Sequence, residues 1–147
     1  MPIYDCSLAD ISHCTILTEN GIIITISQLL RGLSYIHNHG ITHCDIKPHN
    51  IMFDKASKRF RICDFGIAKH DATASTLTHT GMIVGTPLYM SPEQASGDSS
   101  LDGRSDLYSL GVIGYRMRAG RLPVEGSSAQ DVMRRHVTSD PEPLTRV

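Results

Sequence analysis

The 147-residue chain is 40% hydrophobic and 20% charged, the composition of one globular domain with a real core rather than of a disordered segment. Its 14 Lys and Arg against 15 Asp and Glu leave a formal charge of −1, without the positive field of a nucleic-acid or anionic-membrane binder. Tryptophan is absent and aromatics are 5%, which disfavours a base-stacking surface. The longest aliphatic run, Ile22-Ile23-Ile24, is far short of a membrane span, and Met1 to Cys6 has neither the basic nor the apolar region of a signal peptide. The cysteines at 6, 14, 44 and 63 form no CxxC pair; they are expected to be thiols in a reducing cytoplasm, which is the localisation expected for the chain.

The first long helix is expected from Asn20 to His39. Ile22, Ile26, Leu29, Leu30, Leu33 and Ile36 recur on one face, and Gly40 stands where a left-handed cap is needed. The three isoleucines also suit a strand, but the length of the periodic run favours a helix. Ile51-Met52-Phe53 and the alternating Arg59 to Cys63 read as two short strands of a hairpin around the polar turn Asp54 to Lys58. Asp71 to Thr80 is small and polar, without periodicity, and reads as a mobile loop. Leu101 to Gly120 is helical, with apolar residues around most of its circumference, the pattern of a buried helix at about 104–119. Gly111 and Gly114 lower its propensity, which close approach of another element would make tolerable. A last helix starts after Ser128, with Asp131 three residues on, and runs toward His136; Asp140-Pro141-Glu142-Pro143 is a non-helical tail.

The chemistry is concentrated in His43-Cys44-Asp45-Ile46-Lys47-Pro48-His49-Asn50, between the first helix and the hairpin. Asp64-Phe65-Gly66 follows 14 residues after Asn50, and Gly85-Thr86-Pro87-Leu88-Tyr89-Met90-Ser91-Pro92-Glu93 comes after the hydroxyl-rich loop. In order and spacing these resemble the catalytic loop (HRDxKxxN), the DFG turn and the APE segment of protein kinases. Lys47, two residues after Asp45, resembles the Ser/Thr-specific branch, and the wording around Met90-Ser91-Pro92-Glu93-Gln94 resembles bacterial members. A lone Asp-Phe-Gly is weak, and an HxDxxxxN pattern is shared with small-molecule kinases of the aminoglycoside phosphotransferase type. Three motifs in order, together with Lys47 and Asp106, are specific.

The resemblance implies a mainly α fold with a small β-hairpin, the C-terminal lobe of a protein kinase truncated at both ends. It would span 1–147, with the catalytic loop at 43–50 and the activation segment at 64–93. It implies transfer of the γ-phosphate of ATP to a Ser or Thr hydroxyl of a protein substrate, with Mg²⁺. Asp45 would orient the hydroxyl and accept its proton, and Lys47 would neutralise charge on the transferred phosphate. Asn50 and Asp64 would supply hard oxygens to the metal, and Met52 the floor under the adenine. His43 and Phe65 would belong to the internal packing spine, and Gly66 would give Asp64 its turn. Thr86 would contact Asp45 and Lys47, and Asp106 would brace the catalytic loop from below. Thr78 and Thr80 match a phosphorylated threonine pair, although unmodified loop threonines are the equal alternative. The histidines form no metal-ligand constellation, and His37 and His39 read as surface residues near a helix end. Cys63 reads as a small core residue beside the nucleotide pocket.

The resemblance also has gaps. A full kinase domain is about 250 residues. This chain has no GxGxxG and no lysine ahead of the catalytic loop, so the phosphate-holding lysine and its glutamate partner are expected elsewhere, in a separately encoded N-lobe or a regulatory protein. An arginine partner for Glu93 is missing, which would be costly if the carboxylate were buried. Cys44 stands where the family carries an arginine that receives a loop phosphate, and a thiol cannot do this. Loop phosphorylation is therefore expected not to switch this chain in the usual way, and the chain alone is expected to transfer phosphate poorly. Two other readings are a catalytically inactive binding module or gene remnant, and a small-molecule phosphotransferase. Neither a nucleic-acid partner nor a membrane segment within this chain is expected.

Overall fold

The computed structural model describes residues 6–14, 18–65 and 87–146. Strand β1 (Cys6–Ser7) leads into helix α1 (Leu8–Cys14), where Ser7 and Asp10 cap each other: the Asp10 carboxylate accepts the Ser7 N–H at 2.8 Å, and Ser7 Oγ accepts the Asp10 N–H at 3.3 Å. Helix α2 (Glu19–His37) starts at Thr18, whose hydroxyl accepts the Gly21 N–H. It ends in a Schellman motif, with Ile41 N–H donating to Ile36 C=O and Gly40 N–H to His37 C=O, and Gly40 at φ +72°. The buried stripe of α2 is Thr25, Leu29, Leu33 and Ile36. Leu30, expected on that face, is 44% exposed because it lies about 100° around the helix from Leu29.

The hairpin is present as β2 (Ile51–Asp54) and β3 (Arg59–Ile62), with Met52 opposite Arg61 and Phe53 opposite Phe60. Asp54 closes its turn by accepting from the Ala56 and Ser57 amides. The sheet is three-stranded, not a bare hairpin, because β1 adds antiparallel to β2. Gln28 of α2 fastens it: its Oε1 accepts the Phe60 N–H at 2.8 Å.

Helix α3 (Pro92–Ala95) is a short turn with a full capping box between Ser91 and Gln94. Helix α4 (Gly103–Ala119) begins at Asp102, which accepts the Arg104 N–H, and stops at the left-handed Gly120. It packs against α2, where a Cβ on Gly114 would lie 3.4 Å from Ile26 Cδ1; Gly111, by contrast, faces open space. Expected to be buried all round, α4 leaves Leu107 46% exposed. Helix α5 (Ala129–Thr138) is capped by Ser128, which accepts the Asp131 N–H, and buries Val132 and His136.

The core lies between α2, α4 and the sheet: Leu8, Leu29, Leu33, Ile46, Ile51, Leu110 and Ile113 are each 3% exposed or less. A protein-kinase-like, mostly helical domain with a small antiparallel sheet is what the sequence leads one to expect. Among the described residues no helix is long and apolar enough to cross a membrane.

Candidate active site

Residues 43–50 run from the end of α2 into a 3-10 turn at Pro48–Asn50 and then into β2. Pro48 starts that turn with its fixed φ, and the Asn50 N–H closes it on the Lys47 carbonyl at 2.9 Å. The turn folds Asn50 back onto Asp45. Asn50 Nδ2 donates to the Asp45 carbonyl at 2.9 Å and to its carboxylate Oδ2 at 3.0 Å. Lys47 Nζ donates to the same Oδ2 at 2.9 Å. Among the described residues, Asp45 Oδ1 accepts nothing, and the Asp45 side chain is 45% exposed. Asp45 thus presents one anchored oxygen and one that, among the described residues, has no donor. Asn50 is buried at 5% exposure, so its two bonds fix the loop from inside.

The loop is held from below by α4. The buried Asp106 accepts the His43 N–H on Oδ2 and the Cys44 N–H on Oδ1, each at 2.8 Å. His37 Nε2 donates to the same Oδ2 at 2.8 Å. Asp106 is 1% exposed, and three donors offset the desolvation of its charge. Between these anchors Cys44 takes φ +61°, a left-handed conformation costly for a residue with a Cβ. The His43 ring, 1% exposed, accepts the Asp45 N–H on Nδ1 at 3.3 Å and donates from Nε2 to the Cys63 carbonyl at 3.0 Å. These partners select the Nε2–H tautomer. His43 also lies against Phe65, with ring centroids 5.1 Å apart.

Asp64 follows β3. The Cys63 N–H donates to the Asn50 carbonyl at 2.8 Å, which brings the Asp64 segment alongside Asn50. Asp64 is exposed with φ +55°, a conformation Asp tolerates better than most residues. With Asn50 Nδ2 committed to Asp45, the amide oxygen and the Asp64 carboxylate remain as hard donors. Two such oxygens suit Mg²⁺, which is usually held by one or two protein oxygens plus phosphates and water. Among the described residues no cluster of three His, Cys, Asp or Glu exists for a fully protein-built metal cage.

The other expected residues fall as follows. Met52 is half-buried in the middle strand β2, paired to Ser7 and Arg61. Glu93 has a partner: its Oε1 accepts the Ser105 hydroxyl. Cys63 is half-buried, not a core residue. Gly66, Thr78, Thr80, Thr86 and the loop 71–80 lie outside the described residues. His37 was expected on the surface, and its bond to Asp106 corrects that reading; its side chain is 21% exposed, and nothing local in the sequence marks a partner 69 residues away. His39 is exposed as expected, bonded to the Tyr35 carbonyl. Gln94 was also missed: its Nε2 donates to the Cys44 carbonyl at 2.7 Å.

Residues 4–144 match the family model described as protein kinase domain. The chain is 46% identical over 136 residues to serine/threonine-protein kinase pkn3 of Myxococcus xanthus, covering 88% of this chain and 25% of that protein. It is 46% identical over 125 residues to serine/threonine-protein kinases PknA of Corynebacterium glutamicum, covering 85% and 26%. It is 41% identical over 139 residues to serine/threonine-protein kinase PknB of Mycobacterium tuberculosis, covering 93% and 22%. The chain spans about a quarter of the length of these curated relatives. With its motifs in order, its loop folded around Asp45 and a match along nearly all its length, the chain belongs to the protein kinase domain family.

Proposed function

We propose that this chain carries the phosphoryl-transfer half of a serine/threonine protein kinase, with the catalytic loop at 43–50 and the activation segment at 64–93. It would act on a protein hydroxyl with ATP and Mg²⁺. The observation that carries the reading is the Asp45 carboxylate, with Oδ2 fixed by Lys47 and Asn50 while Oδ1 accepts nothing among the described residues. That second oxygen would take the substrate hydroxyl. In the transfer, the hydroxyl oxygen forms a bond to the γ-phosphorus as the bond from that phosphorus to the bridging oxygen of ADP breaks, and Asp45 takes the hydroxyl proton. Lys47, 2.9 Å from Asp45, would neutralise charge on the moving phosphoryl group. Asn50 and Asp64 would hold Mg²⁺, which when bound screens the phosphate charges. Met52 in the middle strand would support the adenine.

No lysine precedes the catalytic loop in this sequence, so in this reading the group that holds the inner phosphates would be supplied by another segment or a partner chain. Transfer by the 147-residue chain alone is therefore expected to be slow. The test is titration calorimetry with Mg-ATP, joined to label transfer from γ-labelled ATP. Magnesium-dependent binding that Asp64→Asn weakens, with slow labelling of protein Ser or Thr that Asp45→Asn abolishes, is the expected result. No magnesium-dependent heat would leave the inactive binding module as the reading. Labelling of an aminoglycoside or choline but of no protein would favour a small-molecule phosphotransferase.

A further inference from the structure

We propose that Gln94 is a positioning residue that sets the peptide plane carrying Asp45 and couples it to the segment ending in α3. The proposal rests on the kinase reading above and adds a residue to it. The Cys44–Asp45 peptide is held on both edges. Its carbonyl, that of Cys44, accepts Gln94 Nε2 at 2.7 Å across 50 residues of sequence. Its N–H, that of Asp45, donates to His43 Nδ1 at 3.3 Å. The preceding N–H, that of Cys44, is tied to Asp106 at 2.8 Å. A left-handed φ of +61° at Cys44 persists only where its surroundings over-determine it, and Gln94 supplies a side-chain donor to its carbonyl.

Gln94 uses both ends of its amide. Oε1 accepts the Ser91 N–H at 3.0 Å, which completes the capping box of α3, while Nε2 reaches the catalytic loop. A shift of Ser91 to Ala95 would therefore be felt at the Asp45 backbone through one side chain. The two ends can be separated chemically. Gln94→Glu keeps a carboxylate oxygen for the Ser91 N–H, since Glu serves at this capping position, but removes the donor to Cys44. Gln94→Met removes both bonds.

The experiment compares the parent chain with both variants by amide hydrogen exchange and by Mg-ATP-dependent labelling of a protein substrate. In Gln94→Glu, exchange at Asp45 should rise about tenfold or more while the Ser91 amide keeps its protection. Labelling turnover should fall about tenfold with the KM for ATP unchanged, as expected for a misplaced acceptor and an intact nucleotide site. Gln94→Met should repeat the Asp45 effect and also lose protection at Ser91, and it serves as the test if the Glu variant does not fold. Unchanged exchange at Asp45 in both folded variants would overturn the proposal. So would unchanged turnover in Gln94→Glu where Asp45→Asn abolishes labelling. If the parent labels no protein, the kinase reading falls on that result, and exchange at Asp45 alone decides whether Gln94 holds the peptide.

Discussion

Asp106→Ala is the substitution whose cost the geometry sets most directly. The parent carboxylate accepts His43 N–H, Cys44 N–H and His37 Nε2, all at 2.8 Å, at a site 1% exposed. Alanine leaves the two backbone donors without an acceptor, and each unsatisfied buried donor costs about 1–3 kcal/mol. The His37 side chain is 21% exposed and can turn to water, so it adds little. Two terms act the other way: the charge no longer has to be desolvated, and Cys44 can relax from its left-handed backbone, which returns about 1–2 kcal/mol. The net loss is about 3 kcal/mol, a large share of the roughly 5–15 kcal/mol that a domain has. With a urea m-value of about 2 kcal/mol/M, the unfolding midpoint should fall by about 1.5 M. Asp106→Asn keeps one carbonyl oxygen and should fall between parent and Ala. A midpoint within about 0.3 M of the parent, at unchanged m, would show that the loop's backbone donors find other partners and that α4 does not support the loop.

Other outcomes follow from the same coordinates. A Cβ on Gly126 would sit 2.9 Å from the Val132 backbone nitrogen in the first turn of α5, so Gly126→Ala should cost about 1–3 kcal/mol, read as a fall of about 2–12 °C in Tm. Burial holds His136, bonded to Tyr108, below its ordinary value of 6.5. Below that pH the unfolded chain binds a proton that the folded chain resists, so stability is full above about pH 6.5 and declines as pH falls. His136→Gln should flatten the dependence of Tm on pH between about 7 and 5, and an unaltered slope would assign that dependence to other groups. Thr78→Ala and Thr80→Ala, compared with phosphorylated parent, should leave Mg-ATP affinity and turnover nearly unchanged, because Cys44 offers no cation to a loop phosphate; a large loss in both would contradict this.

Elements with strong local codes were legible in the sequence. Ser128 with Asp131 before α5 and Gly40 after α2 mark helix ends through short-range backbone bonds. The hairpin was legible through the alternation of Arg59 to Ile62 and the polar turn before it. What escaped depends on partners distant in sequence. β1 is a strand only because β2 is there to pair with it, and two residues carry too little pattern to announce this. His37 and Gln94 look like ordinary surface residues until the fold brings them to Asp106 and Cys44, across 69 and 50 residues. Glu93 also takes a partner outside its own segment, the Ser105 hydroxyl of the next helix. The candidate site was legible by a different route: Asp45, Lys47 and Asn50 sit within six residues and match a protein kinase motif, and the structure folds that loop back so that all three meet.

The substitution of a cysteine at position 44 is consistent with how this loop is held. The fold makes its demands on residue 44 through the backbone: the N–H goes to Asp106 and the C=O to Gln94, at 2.8 and 2.7 Å. Neither bond depends on which side chain the residue carries, so the left-handed turn that delivers Asp45 survives without an arginine. A positively charged side chain at this position would add recognition of a loop phosphate, a separate property from shaping the loop. The two properties can therefore be lost independently. In the proposed kinase reading, the geometry of Asp45, Lys47 and Asn50 would serve to orient a hydroxyl while position 44 offers no cation to a loop phosphate, so the two capacities would be separate.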